Sequence, residues 1–329
     1  MPTSSRSASG AQAPSNRMEA KHDSVLLHEA IEALSVSPAD TVVDATIGGA
    51  GHFRVLLEKL GPEGTLIGID ADADAIERAK EAATGATPRV ELVHDNFRNL
   101  ASVLEGKGIA SIDRALFDLG WSGFHLASGR GFSFKAEEPL LMTYGDPVDT
   151  MSAADLVNDL SEESLADLIY TLGEERFSRG IARSIVAARE KDRIETTTQL
   201  VAAIEAGVPG WYRARRIHPA TKTFQALRIA VNDELGALRE GLSAALASLS
   251  DGGRVALITF HSIEDRIVKQ MLREAAHDGM GTVVTKKPIV PTSDELAANP
   301  RARSAKLRVF ERSPRASTYM PRSTFALYA

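Results

Sequence analysis

Several residue types that would define a site or a compartment are missing from this 329-residue chain or scarce in it. There is no cysteine, which excludes disulfides and cysteine-ligated zinc and suits a reducing cytosol. No apolar run approaches the length of a membrane span, and no signal-peptide core is present, so we expect a cytoplasmic protein without a membrane partner. With 43% hydrophobic and 25% charged residues, the composition is typical of globular proteins, and the length favours two domains.

Charge is distributed unevenly along the chain. The formal net charge is −6, yet residues 280–329 hold nine Lys and Arg against three Asp and Glu, which leaves −12 for residues 1–279. A basic end on an acidic body favours an anionic partner that touches one end, although a solvated basic tail would have the same composition. Residues 1–20 are rich in Ser and Ala and predict a disordered extension.

The strongest local pattern is a strand, a glycine-rich turn and a helix between residues 41 and 60. The turn reads D-A-T-I-G-G-A-G-H over residues 44–52 and contains three glycines, which allow backbone to approach a ligand closely: Gly48, Gly49 and Gly51. A second predicted strand, over residues 65–69, ends in Asp70, at the spacing where an acid hydrogen-bonds ribose hydroxyls. We therefore expect a nucleoside-containing cofactor.

The glycine pattern distinguishes between the common nucleoside cofactors. The dinucleotide fingerprint G-x-G-x-x-G/A begun at Gly49 would need a small residue where the chain has Arg54, and begun at Gly48 it fails at Ala50. A pyrophosphate-binding turn is therefore disfavoured, and S-adenosylmethionine is the cofactor we expect. A tight strand-to-helix turn without a ligand is the alternative interpretation.

Strands and helices alternate in the first third of the chain. Further strands are predicted over residues 90–93 and 114–119. We therefore expect an α/β fold with a parallel, doubly wound sheet whose ligand groups gather at the carboxyl ends of the strands. Four such groups follow successive predicted strands: Gly48, Asp70, Phe97 and Asp118.

The alternation stops in the middle of the chain and then resumes. Residues 122–222 are interpreted as a helical insertion, with helices over 161–173 and 197–206. One apolar helical stripe over 223–249 is followed by three predicted strands: 254–260, 282–290 and 307–312. The expected organisation is a tail (1–20), a core in two pieces (21–121 and 223–312), the insertion (122–222) and a second tail (313–329).

Asp118 begins a motif, D-L-G-W-S-G, at the end of the fourth predicted strand. Methylation of an exocyclic amine needs a nitrogen lone pair that is free and directed at the methyl carbon, and a carboxylate that accepts the amine hydrogens assists this. Asp118 is the catalytic acceptor we expect, with Trp121, Phe132 or Phe134 as base-stacking candidates. A cofactor contact without a chemical role is the alternative for Asp118, and core packing is the alternative for the two phenylalanines.

Two later segments carry further candidates. Ser262-x-x-Asp265 predicts a helix capping box, and the neighbouring His261 and Glu264 are candidates to orient substrate. The run N-P-R-A-R-S-A-K-L-R from residue 299 offers cations for RNA phosphates: Arg301, Arg303 and Lys306. A second basic cluster lies near the end of the insertion: Arg213, Arg215, Arg216 and Lys222. A solvated surface is the alternative for both sets.

Seven motifs occur in one order along the chain: H-x-x-V-L-L-x-E (22–29), D-A-T-I-G-G-A-G-H (44–52), D-L-G-x-S (118–122), R-G-F-S-F (130–134), F-Q-A-L-R-I-A-V-N-D-E-L (224–235), F-H-S-I-E-D-R (260–266) and N-P-R-A-R-S-A-K-L-R (299–308). Together they resemble the RsmH (MraW) family, which methylates N4 of a decoding-centre cytidine in bacterial small-subunit rRNA. The resemblance implies a class I, Rossmann-like methyltransferase core with an inserted helical domain, residues 122–222, for substrate recognition. It also implies S-adenosylmethionine contacts at Ala50, Gly51, His52, Asp70, Phe97 and Asp118.

The chain departs from the family pattern between the fourth strand and the insertion. The family's D-L-G-V-S-S-P-Q is D-L-G-W-S-G-F-H here, so His125 replaces a glutamine that contacts the cofactor, and P-L-D-M-R-M-D becomes P-L-L-M-T-Y-G over 139–145. These differences fall where the target base should enter. We expect an rRNA cytidine N4-methyltransferase that acts on the small ribosomal subunit and needs no metal. The alternatives are an altered nucleic-acid target, a non-enzymatic rRNA-binding or assembly factor and, more distantly, an oxidoreductase.

Overall fold

The sheet at the centre of the protein is seen in a computed structural model that describes residues 24–120, 126, 128–144 and 151–314. Within those residues the strands are β1 (Thr41–Asp44), β2 (Thr65–Asp70), β3 (Arg89–His94), β4 (Ile112–Asp118), β5 (Leu249–Thr259), β6 (Gly281–Val283) and β7 (Lys306–Arg312). They form one sheet in the order β3-β2-β1-β4-β5-β7-β6. Strands β1 to β5 pair in parallel, and β7 runs antiparallel to both β5 and β6.

This strand order confirms the predicted doubly wound sheet. The chain builds outward from β1 to β3 and then returns to the other side of β1 to form β4. The order therefore reverses between β1 and β4, and in open parallel sheets ligands bind in the crevice beyond the carboxyl ends of the strands at that reversal. The glycine-rich turn after β1 and Asp118 at the end of β4 flank this crevice.

Helices cover both faces of the sheet and form a separate layer. The helices of the core are α1 (Leu27–Leu34), α2 (Gly51–Lys59), α3 (Ala73–Ala82), α4 (Leu100–Gly106), α11 (Glu234–Ser248), α12 (Ser262–His277) and α13 (Ser293–Ala298). Between β4 and α11 lie α5 (Ala153–Asp159), α6 (Glu162–Gly173), α7 (Ser178–Arg189), α8 (Thr197–Ala206), α9 (Gly210–Arg213) and α10 (Ala220–Asn232). Among the described residues, no helix is both long and apolar enough to span a bilayer.

Two sequence predictions about these elements are wrong. The apolar stripe over 223–249 is two helices, because Asp233 between α10 and α11 has a left-handed backbone with φ of 43°. The predicted strand over 282–290 stops at Val283, and only Ile289 returns to the sheet, in an isolated bridge to Leu307. Pro288, which has no N–H to donate to a strand, precedes Ile289 and accounts for the interruption.

The core is divided by the sheet into two apolar clusters. Adjacent strand residues point to opposite faces, so Val42 and Leu116 pack with α1 and α2 on one side, while Val43 and Phe117 pack with α11 and α12 on the other. A third cluster joins the inserted helices and continues as far as Leu227 in α10. The inserted layer therefore has its own apolar core, and its packing extends beyond residue 222; the domain boundaries stay a prediction.

Gly68 in the middle of β2 sets how closely the helix after the glycine-rich turn can approach the sheet. A Cβ at Gly68 would lie 2.9 Å from Ile47 Cδ1, 2.9 Å from the Phe53 ring and 3.0 Å from Leu92. We expect Gly68→Ala to lower the free energy of unfolding by about 1–3 kcal/mol through overpacking. Chemical denaturation measures this change.

Gly106, the last residue of α4, provides the matched control for that substitution. It is exposed, and a Cβ there would meet no atom within 4 Å. Gly106→Ala should raise the free energy of unfolding by about 0.5–1 kcal/mol, since alanine restricts the unfolded chain and favours helix. Equal stability of Gly68→Ala and the wild type would show that α2 does not depend on close approach at β2.

Candidate active site

The turn between β1 and α2 is held in place by charged side chains from the neighbouring strand and helix. Gly48 and Ala50 both have left-handed backbone, with φ of 50° and 60°. The Gly48 N–H donates to Asp70 Oδ2 at 2.8 Å, and Arg78 Nε donates to the Gly48 carbonyl at 2.9 Å. Asp70 Oδ1 accepts the N–H of Asp72 at 2.8 Å. Asp70 therefore shapes the turn, and each of its oxygens retains a lone pair for the predicted ribose contact.

A cavity of about 440 Å³ opens beside this turn. Its size is within the range of pockets that bind cofactors and drug-sized ligands. Six of the nine predicted cofactor-binding residues line it: Gly48, Gly49, His52, Asp70, Phe97 and Asp118. Ala50 is fully buried and Gly51 begins α2, so both shape the turn from behind the cavity wall. The remaining residue, His125, lies outside the described residues.

Acidic side chains gather at the cofactor end of the cavity: Asp70 and Asp118 line it, and Asp44 is buried at the end of β1. Burial raises the pKa values of Asp44 and Asp70, and repulsion by Asp70 and Asp118 raises that of Asp44 further. Each of these carboxyl groups, when ionised, would repel a pyrophosphate and attract a sulfonium cation. Arg54, the residue that breaks the dinucleotide fingerprint, has an exposed side chain that donates to the Gly49 carbonyl at 3.3 Å.

Asp118 lies at the end of β4 with its carboxylate in the cavity. Its backbone N–H donates to Thr46 Oγ1 at 2.6 Å, and its Oδ2 is 3.6 Å from His52 Nδ1. Burial raises the pKa of Asp118 from 3.8 to about 7; the N–H of Gly120 opposes this rise, and the negative charge of Glu264 adds to it. Asp118 can therefore change its protonation state near neutral pH.

The other end of the cavity is formed by the segment after residue 128 and by the junction of α10 and α11. Phe132 lines the cavity and stacks on Tyr144, with ring centroids 5.5 Å apart and planes at 12°. Phe134 also lines it while packing against Phe224. Both phenylalanines are therefore part of the inserted layer's packing and of the cavity wall. Trp121, the third stacking candidate, lies outside the described residues.

A charged network at this end was not predicted. Arg228 donates to both carboxylate oxygens of Glu234 at 2.8 and 2.9 Å, and the Tyr144 hydroxyl donates to Glu234 Oε1 at 2.9 Å. Burial disfavours the charge of Arg228, but Glu234 outweighs this and raises its pKa. Arg228 and Glu234 are six residues apart, which is not a helical spacing; the bend at Asp233 brings them together. The only signal in the sequence is that both residues fall in the F-Q-A-L-R-I-A-V-N-D-E-L motif over 224–235.

His261 and Glu264 line the cavity where β5 ends and α12 begins. They form the capping box of α12: the Glu264 N–H donates to His261 Nδ1 at 3.4 Å, and Glu264 Oε2 accepts the N–H of His261 at 3.3 Å. The predicted box of Ser262 and Asp265 is wrong by one residue because the helix starts at Ser262. Asp265 instead accepts hydrogen bonds from Lys306 and Arg308.

The predicted RNA-binding cations are placed differently from one another. Arg301 lines the cavity, and Arg303 is exposed on the same short helical turn. Lys306 is outside the cavity lining, and its ammonium group is 2.9 Å from Asp265 Oδ2. Lys306 therefore helps to join β7 to α12, while the RNA contacts of all three side chains stay a prediction.

Three side chains of the cavity wall are close enough together to bind a metal ion. Oxygen and nitrogen atoms of Glu234, His261 and Glu264 lie within 4.8 Å of one another. A metal ion at that point would have to compete with the guanidinium of Arg228, which already binds Glu234 through two hydrogen bonds. We interpret the group as part of the hydrogen-bonded wall of the cavity.

Known proteins are similar to this chain over most of its length. Residues 19–313 match the family model described as the MraW methylase family. The ribosomal RNA small subunit methyltransferase H of Deinococcus radiodurans is 52% identical, over 89% of this chain and 90% of that protein. The proteins of the same name from Deinococcus deserti and Brevibacillus brevis are 49% and 44% identical, over 88% of this chain in each case and 93% and 98% of those proteins.

The raised pKa of Asp118 predicts how stability depends on pH. Between pH 3.8 and about 7 the folded protein keeps a proton that the unfolded chain releases, so the free energy of unfolding falls as the pH rises through this window. Asp118→Asn has no carboxyl group to ionise, so its free energy of unfolding does not fall with pH for this reason. We expect the variant to exceed the wild type in free energy of unfolding by roughly 1–3 kcal/mol at pH 8, after discounting for solvent screening, and to match it near pH 4.

Urea denaturation of the wild type and Asp118→Asn across this pH range measures the difference. Asp251→Asn is the matched control, because Asp251 is exposed at the opposite end of the sheet, near the start of β5. A variant at Asp118 that is less stable than the wild type at pH 8 would show that the cavity stabilises the carboxylate.

Proposed function

The chain belongs to the MraW methylase family, and on that premise we propose that it transfers a methyl group from S-adenosylmethionine to N4 of a decoding-centre cytidine in small-subunit (16S) rRNA. The names of its relatives support rRNA of the small subunit as the substrate. One observation carries the proposal for the chemistry: the Asp118 carboxylate shares a single cavity with the glycine-rich turn, with Asp70 and with the aromatic rings of Phe132 and Tyr144.

The residues at the turn fit S-adenosylmethionine. When bound, this cofactor supplies an electrophilic methyl group on a positively charged sulfur. Gly48 and Gly49 would approach its amino-acid end, and Asp70 would accept hydrogen bonds from its ribose hydroxyls. Asp70 and Asp118 line the cavity, and each would attract the sulfonium charge when ionised.

The opposite wall suits a cytosine that has been rotated out of the RNA. Phe132 and Tyr144 offer aromatic surface against which a base can pack, and the Arg228–Glu234 pair holds the Tyr144 hydroxyl in place. An ionised Asp118 would accept a hydrogen bond from the exocyclic amine and direct its lone pair at the methyl carbon. As the new N–C bond forms, the amine must lose a proton, and a carboxylate with a pKa of about 7 is matched to accept it.

The first test of this mechanism is the pH dependence of methyl transfer. Because kcat/KM reports the protonation state of the free enzyme, its value should fall about tenfold per pH unit below a pKa of about 7 as Asp118 becomes protonated. Asp118→Asn keeps a carbonyl that can accept the amine hydrogen, so it should retain part of the activity with a flat profile. Asp118→Ala should lose about 10²–10³ in kcat.

Asp251→Asn again serves as the control and should reproduce the wild-type profile, since Asp251 is exposed and remote from the cavity. If Asp118→Asn keeps the wild-type pH dependence, a different group controls the reaction. If Asp118→Ala is fully active, the carboxylate has no chemical role and the cofactor-contact interpretation applies.

The substrate is tested with labelled S-adenosylmethionine and small ribosomal subunits from a strain that lacks this chain. We expect label in N4-methylcytidine at one decoding-centre position, identified by mass spectrometry of the digested rRNA, and no transfer to subunits from the parent strain. Cofactor binding without transfer to subunits, but with transfer to another RNA, would indicate an altered target. A cellular phenotype that survives Asp118→Ala would favour a non-enzymatic rRNA-binding factor. The proposed compartment is the bacterial cytoplasm, where these subunits are assembled.

A further inference from the structure

Exposed cations accompany an exposed tryptophan in the inserted layer, outside the cavity lining: Arg176 lies over the ring of Trp211, and three arginines follow Trp211 within five residues. We define the aromatic–arginine patch as five residues: Arg176, Trp211, Arg213, Arg215 and Arg216. Trp211 is 59% exposed, and the four arginines are exposed as well. No acidic residue occurs in the sequence between Glu205 and Asp233, so the segment that carries most of the patch is uniformly basic.

The aromatic part of the patch is held by packing from below. The guanidinium carbon of Arg176 lies 4.8 Å from the ring centroid of Phe177 and 4.9 Å from that of Trp211. Tyr212 packs edge-on against both rings, and its hydroxyl donates to the buried carboxylate of Glu175 at 2.6 Å. The indole of Trp211 is therefore positioned at the surface before any ligand binds.

The charges of the patch are available to a partner. Over the part of the chain that the structure describes, none of its four arginines forms an ion pair with an acidic side chain. Two other arginines of the inserted layer do form ion pairs, since Arg183 lies 3.5 Å from Glu162 and Arg193 lies 2.9 Å from Asp155. Arg213, Arg215 and Arg216 fall within four residues of one another without acidic partners, so their charges repel, and an anion would relieve this repulsion.

The patch is continuous with the rim of the cavity. Two residues after Arg216, the ring of His218 stacks on Phe134, with centroids 4.9 Å apart, and Phe134 lines the cavity. Two residues before Arg176, Glu174 accepts a hydrogen bond from Ser262, the neighbour of the cavity residue His261. A flexible polyanion bound at the patch could therefore reach the cavity without crossing the rest of the molecule.

We propose that the aromatic–arginine patch binds single-stranded rRNA next to the nucleotide that enters the cavity, with a base stacked on Trp211 and phosphates on the surrounding arginines. An exposed indole beside planar guanidinium groups is suited to unpaired nucleotides, because every base can stack on it and each guanidinium can bind a phosphate through two hydrogen bonds. One large exposed ring among four cations matches RNA better than an apolar protein surface. The proposal rests on the proposed function in taking the ligand to be rRNA.

Steady-state methylation of small subunits from the deletion strain tests the patch. Trp211→Ala and Arg216→Glu should each raise KM for the subunits by about tenfold, with kcat within twofold of the wild type and an unchanged Kd for S-adenosylmethionine. Trp211→Phe, which keeps a stacking surface, should restore most of the affinity. Arg216→Glu should also reduce the slope of log affinity against log salt concentration by about 1.

Lys191→Glu is the matched control. Lys191 is exposed in the same inserted layer, and replacing it with Glu changes the charge by as much as Arg216→Glu does. It follows the far end of α7, whose length places it about 18 Å from the start of that helix beside Phe177. It should leave KM and the salt slope unchanged. Thermal melting of all four variants checks that each is folded.

The outcomes separate this proposal from the proposed function. Wild-type KM for both Trp211→Ala and Arg216→Glu would overturn the patch as an RNA site while methylation continues. A raised KM for Trp211→Ala with an unchanged salt slope for Arg216→Glu would indicate contact with a ribosomal protein and would also overturn it. If the wild type transfers no methyl group, the proposed function fails. Binding of deproteinised small-subunit rRNA then tests the patch alone, and equal affinities of wild type and variants would refute it.

Discussion

The burial of negative charge at one edge of the sheet is the constraint on which the site depends. Asp44, Asp70 and Asp118 end three adjacent parallel strands, and the sheet brings them together where water is largely excluded. Ionised carboxylates in such a place are costly unless hydrogen bonds or a cation compensate. The backbone N–H groups of Gly48 in the glycine-rich turn and of Asp72 after β2 compensate Asp70, and a sulfonium ligand would compensate those carboxyl groups that are ionised.

The bend at Asp233 joins the inserted layer to this site. Its left-handed backbone ends α10 and starts α11, and Arg98 of the core donates to the Asp233 carboxylate at 2.5 Å. Arg228 and Glu234 meet across the bend and hold Tyr144, so the aromatic wall for the base depends on a bond between the inserted layer and the core. The bend at Asp233 and the bonds between Arg228, Glu234 and Tyr144 therefore connect the residues that would recognise RNA to those that would bind the cofactor.

Much of the fold could be predicted from residue patterns, and the failures have physical causes. Alternating strands and helices indicated the doubly wound sheet because that periodicity is local, and the helix over 197–206 has the bounds its pattern predicted. The capping box of α12 was displaced by one residue, since both His261 and Ser262 precede acids at suitable spacing and only the strand's end decides between them. The strand expected over 282–290 is interrupted after Val283, and only Ile289 pairs with β7 again, an interruption that the apolar content of the segment does not reveal.

The sequence alone determined the order of the strands' ligand groups, the basic segment before α10 and the family resemblance, because these depend on residues that are close in the chain. Only the tertiary structure decided the pKa of Asp118, the pairing of Arg228 with Glu234 and the position of Tyr144 in the cavity. Each of these arises from burial or contact between segments that are distant in sequence or separated by a bend, and neither burial nor a bend of this kind is encoded in a local pattern.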